Sequence, residues 1–86
     1  MGYLSRMRFK SLWLSMAVSD RRAFARRCSA SYNYLNLFAF GQKLRIGESI
    51  AIAIERESGG RVTVEDLRPD VDWAVIRGRP AREEAA

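Results

Sequence analysis

Between Phe24 and Phe38 the apolar residues fall where two short crossed helices, joined by a tight turn, would bury them together. Phe24 and Ala25 come first, then Cys28 and Ala30, then Leu35 and Phe38. Residues three and four apart share a helix face, so each half of this run presents one apolar side. Ala25 stands where the helices cross, and a larger side chain there would push them apart. Ser29 occupies the turn, and a non-glycine residue there must accept positive φ or shift the turn. This is helix-turn-helix spacing, and it predicts an all-α fold.

The rest of the chain reads as further short helices. Phe9, Leu12, Trp13 and Met16 recur at three and four, which predicts a first helix over Met7 to Val18. Ser19 reads as an N-cap for a second helix over Asp20 to Cys28, and Ser31 as the cap of a third, running to about Phe40 and stopping near Gly41. After a basic connector from Gln42 to Gly47, a fourth helix covers about Glu48 to Ser58. Ile50 and Ile54 share one face and Ile52 points elsewhere, so this helix is expected to be enclosed. Gly59 and Gly60 end it. Thr63 to Asp66 resembles a capping box, and Pro69 limits the short helix that follows. Val71, Trp73 and Val75 alternate with Asp72 and Ala74, which suggests a short C-terminal strand or arm; a helical turn is the alternative. The expected organisation is one domain over residues 1–77, of four to five short helices. A flexible tail over 78–86 completes it.

Charge is distributed unevenly. Residues 1–47 hold nine Lys/Arg and one Asp, residues 48–86 six Arg and nine Asp/Glu, and the whole chain carries +5. A basic half that also carries the two-helix pattern is the footprint of a polyanion binder. Cys28 is the sole cysteine and there is no histidine. That excludes an internal disulfide, a Cys/His zinc site and a His-based triad. Cys28 reads as a small buried apolar residue. The acidic residues of the second half read as caps and a solvated face, so no metal, cofactor or catalysis is expected. The apolar patch from Leu12 to Val18 is too short to span a bilayer and has no cleavage pattern. The expected setting is cytoplasmic, on the nucleoid when bound to DNA, with no membrane partner.

In a helix-turn-helix the second helix enters the major groove with its N-terminal residues against base edges. Here Ser31, Tyr32, Asn33 and Asn36 are the base-reading candidates, with Leu37 available to a thymine methyl. Arg21 and Arg22 open the preceding helix, which crosses the phosphate backbone, and Lys43 and Arg45 follow the reading helix. All four are phosphate-contacting candidates. Val71, Trp73 and Val75 are the candidate dimer interface, pairing as an antiparallel edge with a second copy.

The run Phe24-Ala25-Arg26-Arg27-Cys28, with Leu35-Asn36 and Ala39-Phe40-Gly41, resembles the YdaS-type, Cro-like helix-turn-helix proteins of phages and prophages. So do Gly47-Glu48-Ser49, the stretch Ile54 to Gly60, and the segment Glu65 to Trp73. The resemblance covers about Phe9 to Arg77; its most specific parts are the Glu-Arg-x-Ser-Gly-Gly and Leu-Arg-Pro-Asp pieces. It implies a small all-α regulator of lambda-repressor-like, Cro-like layout, a Cro-type repressor or an antitoxin, that binds a palindromic double-stranded DNA operator as a homodimer. The chain departs from the family pattern at Ser29, where glycine is usual, and at Asn36, where arginine is common.

A different reading remains open from the residues. Tyr32, Tyr34, Leu37 and Phe40 make the third helix unusually aromatic and apolar, as suits a module that docks on a protein partner such as a toxin or a polymerase subunit. On that reading the chain is an antitoxin or a phage-encoded inhibitor.

Overall fold

The computed structural model describes residues 2–77, with side chains described from Arg6 to Val75. The expected tail over 78–86 lies outside the described residues. Six helices and no strand occur among them: α1 (Gly2–Ser15), α2 (Val18–Arg27), α3 (Tyr32–Ala39), α4 (Glu48–Glu57), α5 (Val64–Leu67) and α6 (Trp73–Arg77). The expected all-α class holds, with one helix more than the upper expectation.

The boundaries differ from expectation for physical reasons. The first helix stops at Ser15 rather than Val18. Arg21 folds back on its end: its Nε donates to the carbonyls of Trp13 (2.7 Å) and Met16 (3.0 Å). Carbonyls at and just past a helix end lack the full set of intrahelical partners, and the guanidinium supplies a donor there. The second helix starts at Val18, with Ala17 at the N-cap and no side-chain cap, so Ser19 is not its N-cap. Ser31 caps α3 as its residue type suggests, its Oγ accepting from the Tyr34 amide at 3.0 Å. The capping box also forms. Asp66 N–H donates to Thr63 Oγ1, and Thr63 N–H donates to Asp66 Oδ2, both at 3.2 Å.

Three helices end in one hydrogen-bond pattern. After α2, Ala30 N–H donates to Ala25 O and Ser29 N–H to Arg26 O; after α3, Gln42 donates to Leu37 O and Gly41 to Phe38 O; after α4, Gly60 donates to Glu55 O and Gly59 to Arg56 O. This is the Schellman arrangement, which needs a left-handed residue at its turn. Glycine fills that place twice, Gly41 at φ 80° and Gly59 at φ 67°, and Ser29 fills it once at φ 59°.

The core gathers Phe9, Leu12 and Trp13 of α1 with Phe24, Ala25, Cys28, Leu35, Phe38 and Ala39 around the α2–α3 turn. Ile46, Ala51, Ile54, Val62, Val64, Leu67 and Trp73 close it from the other side. Phe9 stacks on Trp13 at 5.6 Å between ring centres, and its ring lies 5.7 Å from Phe38. Aromatic pairs of this kind add about 0.5–1.5 kcal/mol beyond the area they bury. Ile54 is fully buried, whereas Ile52 is 48% exposed. The fourth helix is therefore open on its Ile52 side and not enclosed.

The C-terminal alternation is not a strand. Residues 73–77 are helical, and Asp72 Oδ1 accepts the Val75 amide at 3.3 Å in the manner of a cap. Trp73 is buried within its own chain, its indole N–H donating to Arg68 O at 2.8 Å. The antiparallel edge pairing expected of Val71, Trp73 and Val75 therefore has no strand to form it. Val71 packs on the core and Val75 stays half-exposed. A helix consumes the backbone groups that an edge strand would offer a second copy.

Arg68 is the one buried charged side chain among the described residues. Its guanidinium spans Asp70 through two bonds, at 2.9 and 2.7 Å, and donates to Ile46 O at 2.8 Å. It lies 3.6 Å from Glu48 Oε1 as well. The Leu-Arg-Pro-Asp segment thus fastens α5 and the turn after it to the strap that leads into α4. No described helix is long and apolar enough to cross a membrane.

Candidate nucleic-acid interface

Helix α3 carries the candidate reading face, and the α2–α3 turn sets its direction. Cys28 N–H donates to both Phe24 O and Ala25 O, at 3.0 Å each, which completes the last turn of α2. Ser29 reverses the chain, Ala30 tucks toward the core, and Ser31 starts α3. Leu35, Phe38 and Ala39 point inward. The opposite side of α3 is left to Asn33, Leu37 and the adjoining Phe40, at i, i+4 and i+7. Asn33 is exposed, Leu37 partly so, and Phe40 is 48% exposed.

The structure separates the sequence candidates into two groups. Ser31, Asn33 and Leu37 reach the outer side. Asn36 does not: its Oδ1 accepts the indole N–H of fully buried Trp13 at 3.0 Å. Tyr32 is half-buried, its ring 5.3 Å from Trp13 and its hydroxyl accepting from Arg21 Nη1 at 3.3 Å. Arg21 closes α1 and lies 5.8 Å from the Trp13 ring. Asn36, Tyr32 and Arg21 therefore form a polar seam between α1, α2 and α3. The seam fixes the angle of α3 from behind.

Two of the remaining cations flank α3 through its tyrosines. Arg22 is exposed and sits 5.1 Å over the Tyr32 ring. Lys43 lies 4.7 Å over Tyr34, whose hydroxyl accepts the Gly47 amide at 3.1 Å. Arg45 is exposed on the same connector. Sequence reasoning missed Lys10, which α1 brings to 5.3 Å above the Phe40 ring at the far end of α3. Its position beside Phe9 marks it as flanking a buried face, but only the packing of α1 on α3 reveals which face it borders. Leu44, 82% exposed between Lys43 and Arg45, was also missed. A cation over an aromatic face is held in place at about 0.5–1 kcal/mol when exposed. These pairs orient charge without neutralising it.

On the Phe38 side of α3, a small cleft is lined by Phe38, Leu44, Arg45, Leu67 and Arg68. On its wall Arg68 is paired with Asp70 at 2.7 Å. That hydrogen-bonded pair holds the Asp70 carboxyl down to about 2. Burial, helped by the charge of Glu57, pushes the Cys28 thiol up to about 11. Cys28 belongs to the core beneath the turn, and its chemistry is that of a neutral, packed thiol.

No protein-family model, no curated protein and no solved structure matches the chain.

Proposed function

We propose that this chain is a sequence-specific regulator that binds duplex DNA through α3, in the manner of the Cro-like helix-turn-helix proteins it resembles. The supporting observation is the α2–Ser29–α3 arrangement. It leaves Asn33 and Phe40 of α3 exposed, with Arg22 over the Tyr32 ring and Lys43 over the Tyr34 ring flanking them. Helix α2 would lie across the phosphate backbone and α3 in the major groove. Two copies on a palindromic site would place their reading helices one turn apart, about 34 Å, and repression would follow from excluding polymerase.

Binding to duplexes from upstream of its own gene, at 50 and 200 mM salt, tests the reading. Affinity should fall linearly in log salt, by about 0.9 per phosphate neutralised. Absence of any complex at 50 mM salt would remove the proposal. The second reading, a protein docked on α3, is favoured by the exposure of Phe40 and Leu44. A partner retained on α3 with no dependence on salt would support it.

A further inference from the structure

Helix α3 carries no charged residue: its sequence is Tyr-Asn-Tyr-Leu-Asn-Leu-Phe-Ala. Guanine is read in the major groove chiefly by Arg or Lys paired to O6 and N7, and cytosine by a carboxylate accepting from N4. Neither chemistry is present on this helix. Asparagine pairs with adenine through N6 and N7, and apolar groups meet the C5-methyl of thymine. Of the two asparagines of α3, Asn36 is engaged by Trp13 from behind. Asn33 is exposed and hydrogen-bonds no other described residue through its side chain. Leu37 follows one turn later, about 6 Å along the helix axis. That is close to two base-pair rises of about 3.4 Å. Phe40 continues the same line at the end of the helix.

We infer that α3 reads an A·T step in the major groove, with the Asn33 amide on adenine and Leu37, followed by Phe40, against thymine methyls. This rests on the proposed duplex-binding reading and narrows it. Arg22 on one side and Lys43 on the other hold the phosphates, so the bases opposite Asn33 and Leu37 meet uncharged side chains of α3, and Lys10 reaches only the Phe40 end. Specificity then comes from one bidentate pair plus methyl packing.

The test is selection of the full-length chain against a random 20-bp duplex library at 50 mM salt, followed by atomic substitution in the recovered site. An A·T-centred half-site is expected. Replacing its adenines one at a time by 7-deazaadenine should weaken binding at one position by about fivefold or more, the lower end of what a bidentate pair supplies. Replacing thymine by deoxyuridine, which removes the methyl alone, should weaken binding at a neighbouring position. The Asn33→Ala variant, altered at an exposed position and checked for its helical circular dichroism, should lose the 7-deazaadenine effect and keep the deoxyuridine effect. A G·C-centred site overturns the inference, as does an A·T site indifferent to both replacements. Salt-dependent binding with no sequence preference overturns it while leaving the duplex-binding reading intact. Retention of no duplex overturns both and leaves α3 as a protein-docking face.

Discussion

The indole N–H of Trp13, on α1, donates to the side-chain oxygen of Asn36, on α3, across 3.0 Å. Trp13 has no solvent exposure, so Asn36 answers a donor that would otherwise be buried without a partner. An orphaned buried donor costs about 1–3 kcal/mol. Asn36→Ala should therefore destabilise the fold by that amount, and pairing it with Trp13→Phe should show strong coupling in a double-mutant cycle. Asn33→Ala should change stability by less than about 0.5 kcal/mol, as exposed substitutions usually do. Urea denaturation of the four variants checks this. Equal stability of Asn36→Ala and the parent chain would mean that the seam does not hold α3.

Ser29 is the only non-glycine residue at positive φ among the described residues. The left-handed conformation costs an L-residue about 1–2 kcal/mol. Glycine avoids that cost, but it loses about 0.4–1 kcal/mol through the greater freedom of the unfolded chain. Ser29→Gly should stabilise the protein by about 1 kcal/mol net, seen as a higher urea midpoint with an unchanged slope. A lower midpoint would show that the Ser29 side chain contributes something the backbone geometry does not explain.

Much of the fold was legible in the sequence because it rests on local signals. The apolar spacing from Phe24 to Phe38 located the crossed helices, Ser31 and Thr63 announced the caps of α3 and α5, and Gly41 and Gly59 the ends of α3 and α4. The errors arose where a distant group decided a local outcome. Nothing near Ser15 says that Arg21 will satisfy the last carbonyls of α1. The Val71–Trp73–Val75 alternation fits a strand and a helical turn alike, and the Arg68 carbonyl beneath the Trp73 indole favours the turn. The same holds for the site. Type and spacing marked Asn33 and Asn36 equally, and only the position of Trp13 distinguishes them.

The Arg68–Asp70 pair gives stability a definite pH dependence. The hydrogen-bonded guanidinium lowers the Asp70 carboxyl to about 2 from an ordinary 3.8. A lowered carboxylate contributes stability that is complete above its unfolded value near 3.8 and is lost as pH falls through about 2. Glu57, lowered by its hydrogen bonds to Arg56 and Arg27, contributes with the same sign. Denaturation midpoints should therefore drop between about pH 5 and pH 2. The Asp70→Asn variant should show a shallower drop over that range, from a lower starting midpoint at pH 7. Parallel curves for the two proteins would contradict the pairing.

Cys28 reports directly on the turn it precedes. Its thiol is 1% exposed, and burial with the nearby Glu57 charge raises it from 9.0 to about 11. The unfolded chain ionises first, so the neutral buried thiol adds stability below about pH 9 that is lost as pH rises toward 11. At pH 8 a disulfide reagent should label the folded protein only through opening of the α2–α3 turn, and label it fully in guanidinium. Where opening is fast relative to labelling, the rate follows the opening free energy. Ser29→Gly, stabilising by about 1 kcal/mol, should then slow labelling roughly fivefold. Labelling of the folded parent as fast as a free thiol would mean that the core beneath α2 and α3 is not closed.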